Sequence, residues 1–190
     1  MQFTKTNIPN LIICEPAVFG DHRGYFMETF KQGDLNAFLG LEIDFIQDNE
    51  SRSSYGVLRG MHYQKGEDAQ SKLVRVVEGK VLDVVVDLRK ESPTFQEVFS
   101  IELSAENKKQ LFVPKGCAHG YLVLSDAAIF QYKVDAPYKP ERECSFLYKD
   151  KTLRIDWGIP SSEIITSEKD EKALPFKDAV LFSTTANLYV

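Results

Sequence analysis

Several features that mark membrane-embedded or nucleic-acid-binding proteins are missing from this sequence of 190 residues. No apolar run approaches the roughly 20 residues that a membrane-spanning helix needs. The first residues contain no apolar signal-peptide core followed by a small-residue cleavage site. Acidic residues outnumber basic ones, which gives a net charge of −5. We therefore expect neither a membrane protein nor a general nucleic-acid binder.

Cysteine and histidine are also scarce, with three of each in the chain. The cysteines form no Cys-x-x-Cys pair, which favours free thiols over a disulfide framework and predicts a cytoplasmic location. A metal site built from three histidines would have to use every histidine in the chain, namely His22, His62 and His119.

What the chain does contain is a series of short apolar and aromatic segments separated by glycine, proline and polar turns. Segments that recur at about 8–12 residues predict an all-β sandwich or barrel. Two short helices are expected as well. One covers residues 34–40, and the other follows Ser167, which forms a capping-box pattern with Asp170. No repeat or composition shift divides the chain, so residues 1–190 are interpreted as one domain.

Local patterns also predict how some of these segments pair. Residues 72–77 and 81–88 flank Glu78-Gly79-Lys80, which is typical of a hairpin. Residues 118–124 and 128–134 are expected to form the next pair. Further expectations concern single segments: a turn at 51–56, packing of the apolar tail 179–190, and strands at 43–47, 145–148 and 154–157.

The most informative stretch is residues 57–64, which has the pattern of a strand and contains Arg59 and His62. Alternation predicts that Leu58, Gly60 and His62 share one face of the strand. The other face would then carry Arg59, Met61 and Tyr63. A lone histidine on an apolar face is more often a buried group satisfied by one hydrogen bond. The alternative is a general base, because histidine titrates near physiological pH.

Asp83 stands inside the apolar run 81–88. A carboxylate in such a position is costly without a partner. We therefore expect it to be paired with a cation or with several hydrogen-bond donors.

Residues 113–119 resemble the second motif of the cupin superfamily, in which Pro-x-Gly-x-x-His directs a histidine into a jelly-roll barrel. Here that histidine is His119. Metal-bearing cupins have His-x-His in their first motif, whereas this chain has His62-Tyr63-Gln64. The resemblance therefore implies an all-β cupin-type jelly roll with a few short helices and no metal.

A closer resemblance is to the dTDP-4-dehydrorhamnose 3,5-epimerase family, whose motifs occur here in the same order. They lie at residues 57–64, 70–76, 83–87, 92–95, 112–120 and 167–170. The resemblance implies epimerisation of dTDP-4-keto-6-deoxy-glucose at C3 and C5 without a cofactor. Both carbons are α to the C4 ketone, so the reaction needs a base, an acid and a group that stabilises the enolate.

The resemblance also implies residue roles. His62 is the base, Asp170 orients it, Tyr132 is the proton donor and Lys72 faces the developing C4 oxyanion. The remaining matches are substrate-binding residues: Arg23 and Arg59 for the diphosphate, Glu28, Gln47 and Asn49 for the nucleotide, Tyr138 for thymine, His119 and Asp83 in the sugar cavity, and Glu143 and Lys169.

Some positions depart from the family pattern. Segments 143–150 and 156–160 differ from the sequences common there, and Cys117 and Tyr121 stand where phenylalanine is common. Asp170 is also explained by helix capping alone, and Tyr132 by an ordinary core position.

Two other functions are weighed against this one. The first is epimerisation at one carbon only, on a related dTDP-4-ketosugar. The second is a non-catalytic cupin that binds nucleotide-sugars. The resemblance further implies a homodimer with N-terminal strands exchanged between subunits, in which Arg23 and Glu28 serve either their own site or the partner's.

Overall fold

The computed structural model describes residues 1–183 and 188–189 and is built mainly from β-strands. Within these residues there are two α-helices, α1 (Gln32–Leu39) and α2 (Glu168–Glu171). The strands, numbered along the chain, are β1 (Gln2–Lys5), β2 (Ile12–Glu15), β3 (Val18–Asp21), β4 (Gly24–Met27), β5 (Gln47–Ser54), β6 (Leu58–Gln64), β7 (Lys72–Glu78), β8 (Lys80–Asp87), β9 (Val98–Ser104), β10 (Gln110–Val113), β11 (Cys117–Val123), β12 (Ala127–Val134) and β13 (Glu143–Ser145).

These strands form two antiparallel sheets and a separate hairpin. One sheet has six strands in the order β1-β2-β10-β7-β12-β5, and the other has five in the order β13-β6-β11-β8-β9. From β5 to β13 the chain changes sheet at every connection except that between β8 and β9. This alternation is the topology of a jelly roll. The all-β jelly-roll class predicted from the sequence is confirmed.

The two sheets pack face to face through an apolar core. Buried side chains from β7, β10 and β12 meet those from β8, β9 and β11, among them Val74, Leu111, Phe130, Val85 and Leu103. The backbone N–H and C=O groups buried in this core are satisfied by the hydrogen bonds between neighbouring strands of each sheet. The sandwich therefore supplies a rigid frame for the side chains at its open end.

Each sheet is covered on its outer face. Leu35 of α1 packs on Ile12, Leu73 and Phe112 of the six-stranded sheet. The C-terminal segment packs on the five-stranded sheet through a cluster that includes Phe146, Trp157, Phe176 and Phe182. Both faces of β8 are consequently buried, and five of its eight residues are apolar.

Both predicted helices are present. α1 ends at Gly40, whose φ of +67° suits the left-handed cap that glycine adopts without strain. At α2, the Ser167 side chain accepts a hydrogen bond from the Asp170 backbone N–H, so the predicted cap is confirmed. No helix in the described ranges is long and apolar enough to cross a membrane.

The expected packing of the tail applies only to part of it. Phe182 is buried, and the Tyr189 hydroxyl accepts a hydrogen bond from the Lys115 backbone N–H at 2.9 Å. Residues 184–187 and 190 lie outside the described residues.

The two predicted strand pairs are wrong. β7 lies in the six-stranded sheet and β8 in the five-stranded sheet, and β11 and β12 are divided in the same way. Gly79 has a φ of +74°, and a Cβ there would lie 2.0 Å from the Ala127 carbonyl oxygen. A glycine turn serves a sheet-to-sheet corner as well as a hairpin, so the local signal did not specify which sheet receives the next strand.

Four single-segment expectations also fail in whole or in part. Residues 51–54 belong to strand β5 rather than to a turn, and residues 43–46 are irregular. The strand expected at 145–148 is β13, which ends at Ser145, and residues 154–157 are turn and irregular backbone. β5 is polar nearly throughout, and it is a strand because it pairs along its whole length with β12. Tertiary pairing here overrides intrinsic propensity.

A buried ion pair holds the loop after β8. Asp87 is fully buried and accepts hydrogen bonds from Arg89 Nε at 2.7 Å, from Ser92 Oγ at 2.6 Å and from Thr94 Oγ1 at 2.8 Å. Burial acts to raise the pKa of Asp87, but the bonds from Arg89 and Ser92 outweigh it, so its pKa is lowered. Replacing Asp87 by alanine leaves the buried guanidinium of Arg89 without its partner.

We expect Asp87→Ala to lower the free energy of unfolding by about 3–5 kcal/mol, measured by urea denaturation. The matched control is Asp21→Ala, which breaks the exposed ion pair with Arg23. That pair is screened by solvent, so no measurable change is expected. An equal loss in the two variants would contradict the argument from burial.

Candidate active site

A cavity of about 430 Å³ opens between the two sheets and is lined by half of the predicted site residues. Its walls combine charged, hydroxyl and aromatic side chains with a few apolar ones. The lining residues include Ser51, Arg59, His62, Lys72, His119, Tyr121, Phe130, Tyr132, Lys169 and Asp170.

A β-bulge in β6 brings Arg59 and His62 into this cavity together. His62 pairs with His119 on β11, whereas Arg59 pairs with Tyr121, so three residues of β6 span two residues of β11. The extra residue places the side chains of Arg59 and His62 on the same face of the sheet. The expectation that these two side chains point to opposite faces is therefore wrong. Leu58, Met61 and Tyr63 instead pack in one cluster with the C-terminal segment that covers the five-stranded sheet.

Two glycines allow the strands to approach each other at the bulge. A Cβ on Gly60 would lie 2.6 Å from Gly120 Cα, and a Cβ on Gly120 would lie 2.8 Å from Met61 Sδ. Neither position has room for a side chain. The close approach of β6 and β11 places His62 beside His119.

His62 and Asp170 form a dyad. His62 Nε2 lies 2.6 Å from Asp170 Oδ1, and the aspartate is 2% exposed. Burial acts to raise the pKa of Asp170, but the hydrogen bond and charge of His62 outweigh it and its pKa is lowered. An ionised carboxylate accepts the Nε2 proton, which leaves Nδ1 as the basic nitrogen. Capping uses only the backbone N–H of Asp170, so the carboxylate is available to His62.

Lys72, Asp83 and His119 form a second polar cluster at the cavity. His119 Nε2 lies 3.0 and 2.9 Å from the two oxygens of Asp83, which is fully buried. Asp83 thus has the partner that its apolar surroundings require. Burial raises the pKa of Asp83 against the opposing effects of His119 and Lys72. Burial likewise lowers the pKa of Lys72 to about 8, although Asp83 and Glu143 oppose that shift.

Tyr132 lies on the wall formed by β12. Its ring centroid is 6.2 Å from that of Phe130, and its register partner on β5 is Asn49. Burial raises the pKa of Tyr132, the nearby Tyr121 adds to the effect, and Arg59 opposes it. Raising the pKa keeps the phenol protonated, as a proton donor requires. Gln47 is hydrogen-bonded to Asn49 at 2.8 Å and continues the same strand face.

The rim of the cavity carries further charge. Arg59 Nε donates to Ser53 Oγ at 3.1 Å, which holds the guanidinium in place. Lys169 Nζ lies 2.5 Å from Glu143 Oε2, and the hydroxyl of the exposed Tyr138 donates to the same oxygen at 2.6 Å. These contacts place Tyr138, Glu143 and Lys169 next to one another, and Lys169 lines the cavity.

Comparison with known proteins identifies the family of this chain. The family model described as dTDP-4-dehydrorhamnose 3,5-epimerase matches residues 5–178. The chain belongs to this family. The dTDP-4-dehydrorhamnose 3,5-epimerase of Shigella flexneri is 49% identical over 182 residues, which are 96% of this chain and 99% of that protein.

Solved structures of 3,5-epimerases agree with the fold. The dTDP-4-dehydrorhamnose 3,5-epimerase of Elizabethkingia anophelis NUHP1 is 52% identical, with a TM-score of 0.91 over 94% of this chain and 97% of that one. The dTDP-6-deoxy-D-glucose-3,5-epimerase of Legionella pneumophila Philadelphia 1, in complex with dTDP-4-keto-L-rhamnose, is 44% identical with a TM-score of 0.92, over 97% of this chain and 99% of that one. The predicted membership of the 3,5-epimerase family is therefore confirmed, and with it the assignment as an isomerase.

Half of the fourteen predicted site residues do not line this cavity, namely Arg23, Glu28, Gln47, Asn49, Asp83, Tyr138 and Glu143. Asp83 is hydrogen-bonded to His119, and Glu143 and Tyr138 are linked to Lys169.

Arg23 and Glu28 lie at or next to the β3–β4 hairpin, and Arg23 pairs with Asp21 in solvent. The hairpin also exposes large apolar side chains, with Phe19 65% and Phe26 70% exposed. Within one chain, Arg23 and Glu28 do not contribute to the site.

Sequence reasoning missed two hydroxyl groups in the cavity of this 3,5-epimerase. Ser51 falls within the predicted turn 51–56, and Tyr121 stands where phenylalanine is common in the family. A signal for Tyr121 was available, because it follows His119 by two residues on the same strand and must share its face. Ser51 had no such signal, since β5 was not recognised as a strand at this point.

Proposed function

We propose that the protein epimerises dTDP-4-keto-6-deoxy-glucose at C3 and C5 to give dTDP-4-keto-L-rhamnose, and so supplies dTDP-L-rhamnose synthesis. The observation that carries the proposal is the arrangement of the His62–Asp170 dyad and Lys72 in one cavity with Tyr132. Double epimerisation needs a base, an oxyanion partner and an acid, and this cavity contains a residue suited to each role. The dTDP-4-keto-L-rhamnose bound in the Legionella relative supports the same substrate class.

In the proposed reaction, His62 Nδ1 removes the proton from a carbon next to the C4 ketone. The C–H electron pair becomes the C=C bond of an enolate, and the negative charge moves to the C4 oxygen. Lys72, supported by the Asp83–His119 pair, stabilises that oxygen through its charge and hydrogen bonds. Asp170 stabilises the imidazolium that forms at His62.

Inversion requires that the proton returns from the opposite face of the ring. Tyr132 donates it to the carbon, and the C4 ketone re-forms as the enolate electrons move back. His62 then releases its proton and Tyr132 is reprotonated, which restores the base and the acid. The same sequence at the second α-carbon completes the double epimerisation, and the same reset prepares the next cycle.

The substrate-binding residues follow from the same proposal. Arg59 binds the diphosphate, because a guanidinium matches phosphate oxygens. Tyr138 stacks on thymine, and Gln47 and Asn49 contact the nucleotide. Glu143 and Lys169 contribute at the rim.

The exposed hairpin supports a homodimer as part of this proposal. An apolar patch of this kind on a protein surface is typical of an interface. In the partner's cavity, Arg23 would add a second cation for the diphosphate and Glu28 a nucleotide contact. A solution mass equal to the 21.6 kDa of one chain, measured by light scattering, would contradict the dimer.

The free thiols support a cytoplasmic location. Cys14 and Cys117 are buried and Cys144 is half-buried, and the described residues pair none of them in a disulfide. Recovery of the native protein only in a secreted fraction would contradict this location.

The test of the proposed function is deuterium incorporation. The protein is incubated with dTDP-4-keto-6-deoxy-glucose in D2O, and C3 and C5 are followed by NMR. Incorporation at both carbons with inversion is expected. Incorporation at one carbon would indicate a mono-epimerase, and none in a folded sample would indicate a protein that only binds nucleotide-sugars.

The lowered pKa of Lys72 predicts the alkaline limit of activity. Its charged form predominates below a pKa of about 8 and is lost above it. We expect kcat/KM to fall as the pH rises through this value, because a neutral amine stabilises the enolate less well. The measurement is the pH–rate profile of the wild type and of Lys72→Arg.

Arginine stays charged throughout that range. Lys72→Arg should therefore be slower at neutral pH but lose the alkaline fall near pH 8. Lys151→Met, at an exposed position outside the cavity, is the control and should keep the wild-type profile. An unchanged alkaline fall in Lys72→Arg would exclude Lys72 as its source.

A further inference from the structure

Tyr121 and Ser51 form a hydroxyl pair in the cavity that the proposed reaction does not use. Tyr121 lies on β11 and Ser51 on β5, so the 2.8 Å contact between their oxygens joins the two sheets. The Tyr121 ring stacks on Phe130, with centroids 4.1 Å apart and 13° between the planes. The position of the hydroxyl is therefore fixed from both ends of the side chain.

This pair keeps hydrogen-bonding capacity that the protein does not use. Each hydroxyl has one proton and can also accept. Whichever of the two donates, the accepting hydroxyl retains its own O–H. Across the described part of the chain, the contact between the two is the only side-chain hydrogen bond recorded for either. Because both residues line the cavity, the remaining O–H is available to a ligand there.

The register of β11 indicates which part of the ligand the pair would meet. Along its inner face, His119 is opposite His62 and Tyr121 is opposite Arg59. In the proposed function, Arg59 binds the diphosphate on C1, and the His119 cluster faces the oxygen on C4. Tyr121, level with Arg59, thus lies at the C1 end of the ring and beside the carbons that follow C1 toward C4. The hydroxyl there that takes no part in the reaction is the one on C2.

We propose that the Tyr121–Ser51 pair binds the C2 hydroxyl and selects 4-keto-6-deoxy sugars that retain it over their 2-deoxy analogues. The inference rests on the proposed function and adds a substrate class to it. With a 2-deoxy sugar, the pair would be left with an unpaired buried O–H. A preference of about ten- to a hundredfold in kcat/KM follows from the cost of such a group.

The test compares dTDP-4-keto-6-deoxy-glucose with its 2-deoxy analogue, using deuterium exchange at C5 in D2O. C5 is remote from C2, and any intrinsic difference between the substrates is the same for all variants. Tyr121→Phe keeps the stacked ring and removes only the hydroxyl. We expect it to reduce the preference to within about threefold, mainly by slowing the hydroxylated substrate. Ser51→Ala should give an intermediate preference, because the Tyr121 hydroxyl remains.

Tyr55→Phe is the matched control, because it removes a hydroxyl that bonds to Glu163 at an exposed position. It should keep the wild-type preference. If Tyr121→Phe also keeps it, the pair is only a tether between sheets, and the inference is wrong. Absence of exchange with both substrates in folded wild type would overturn the proposed function and this inference together.

Discussion

Replacement of His62 by alanine is expected to reduce epimerisation by about 10²- to 10⁴-fold, the usual contribution of a general base. The reason is geometric. His62 lines the cavity, and its Nε2 is 2.6 Å from a buried carboxylate that fixes the basic nitrogen as Nδ1. Because one base serves both α-carbons, deuterium exchange at C3 and C5 should be lost together.

Two measurements separate loss of the base from loss of the fold. Binding of dTDP to His62→Ala, measured by calorimetry, should persist, since Arg59 and Tyr138 are unchanged. Asp170→Asn keeps the size of the side chain but removes the charge, so it should also slow both exchanges while binding persists. Near-wild-type turnover in His62→Ala would exclude His62 as the base.

Replacement of Tyr132 by phenylalanine is expected to separate proton removal from inversion. The base is intact, so exchange at C3 and C5 in D2O should continue as His62 removes a proton and returns a deuteron. Net inversion should fall by about 10²- to 10⁴-fold, because the donor on the opposite face is lost. The measurement is the ratio of exchange to inversion, followed by NMR in one sample.

The control for Tyr132→Phe is again Tyr55→Phe, which should keep the wild-type ratio. Removal of the Tyr132 hydroxyl leaves the ring near Phe130, so the wall of the cavity is retained. Equal rates of exchange and inversion in wild type and Tyr132→Phe would refute the donor role.

The sequence predicted what depends on composition and short motifs. The all-β class, α1 and the capped α2 followed from apolar spacing, a terminal glycine and the Ser167–Asp170 pattern. The need for a partner at Asp83 followed from the cost of burying a carboxylate. Each of these rests on residues close together in the chain or on one physical rule.

What the sequence did not predict depends on pairing between distant segments. Gly79 is a turn signal in a hairpin and in a corner alike, and only the second sheet decides between them. The bulge in β6 is visible only in its register with β11, so strict alternation put Arg59 and His62 on opposite faces. The polar strand β5 is stabilised by β12, and its own residues do not indicate a strand.

The dyad joins residues that are 108 positions apart, with His62 in the barrel and the carboxylate of Asp170 in the C-terminal segment. During synthesis, the ribosome therefore completes the strands of the jelly roll well before it adds Asp170. A nascent chain that ends before Asp170 lacks the carboxylate that is hydrogen-bonded to His62. In the proposed mechanism, the dyad is therefore one of the last parts of this protein to form, and activity requires that α2 has docked.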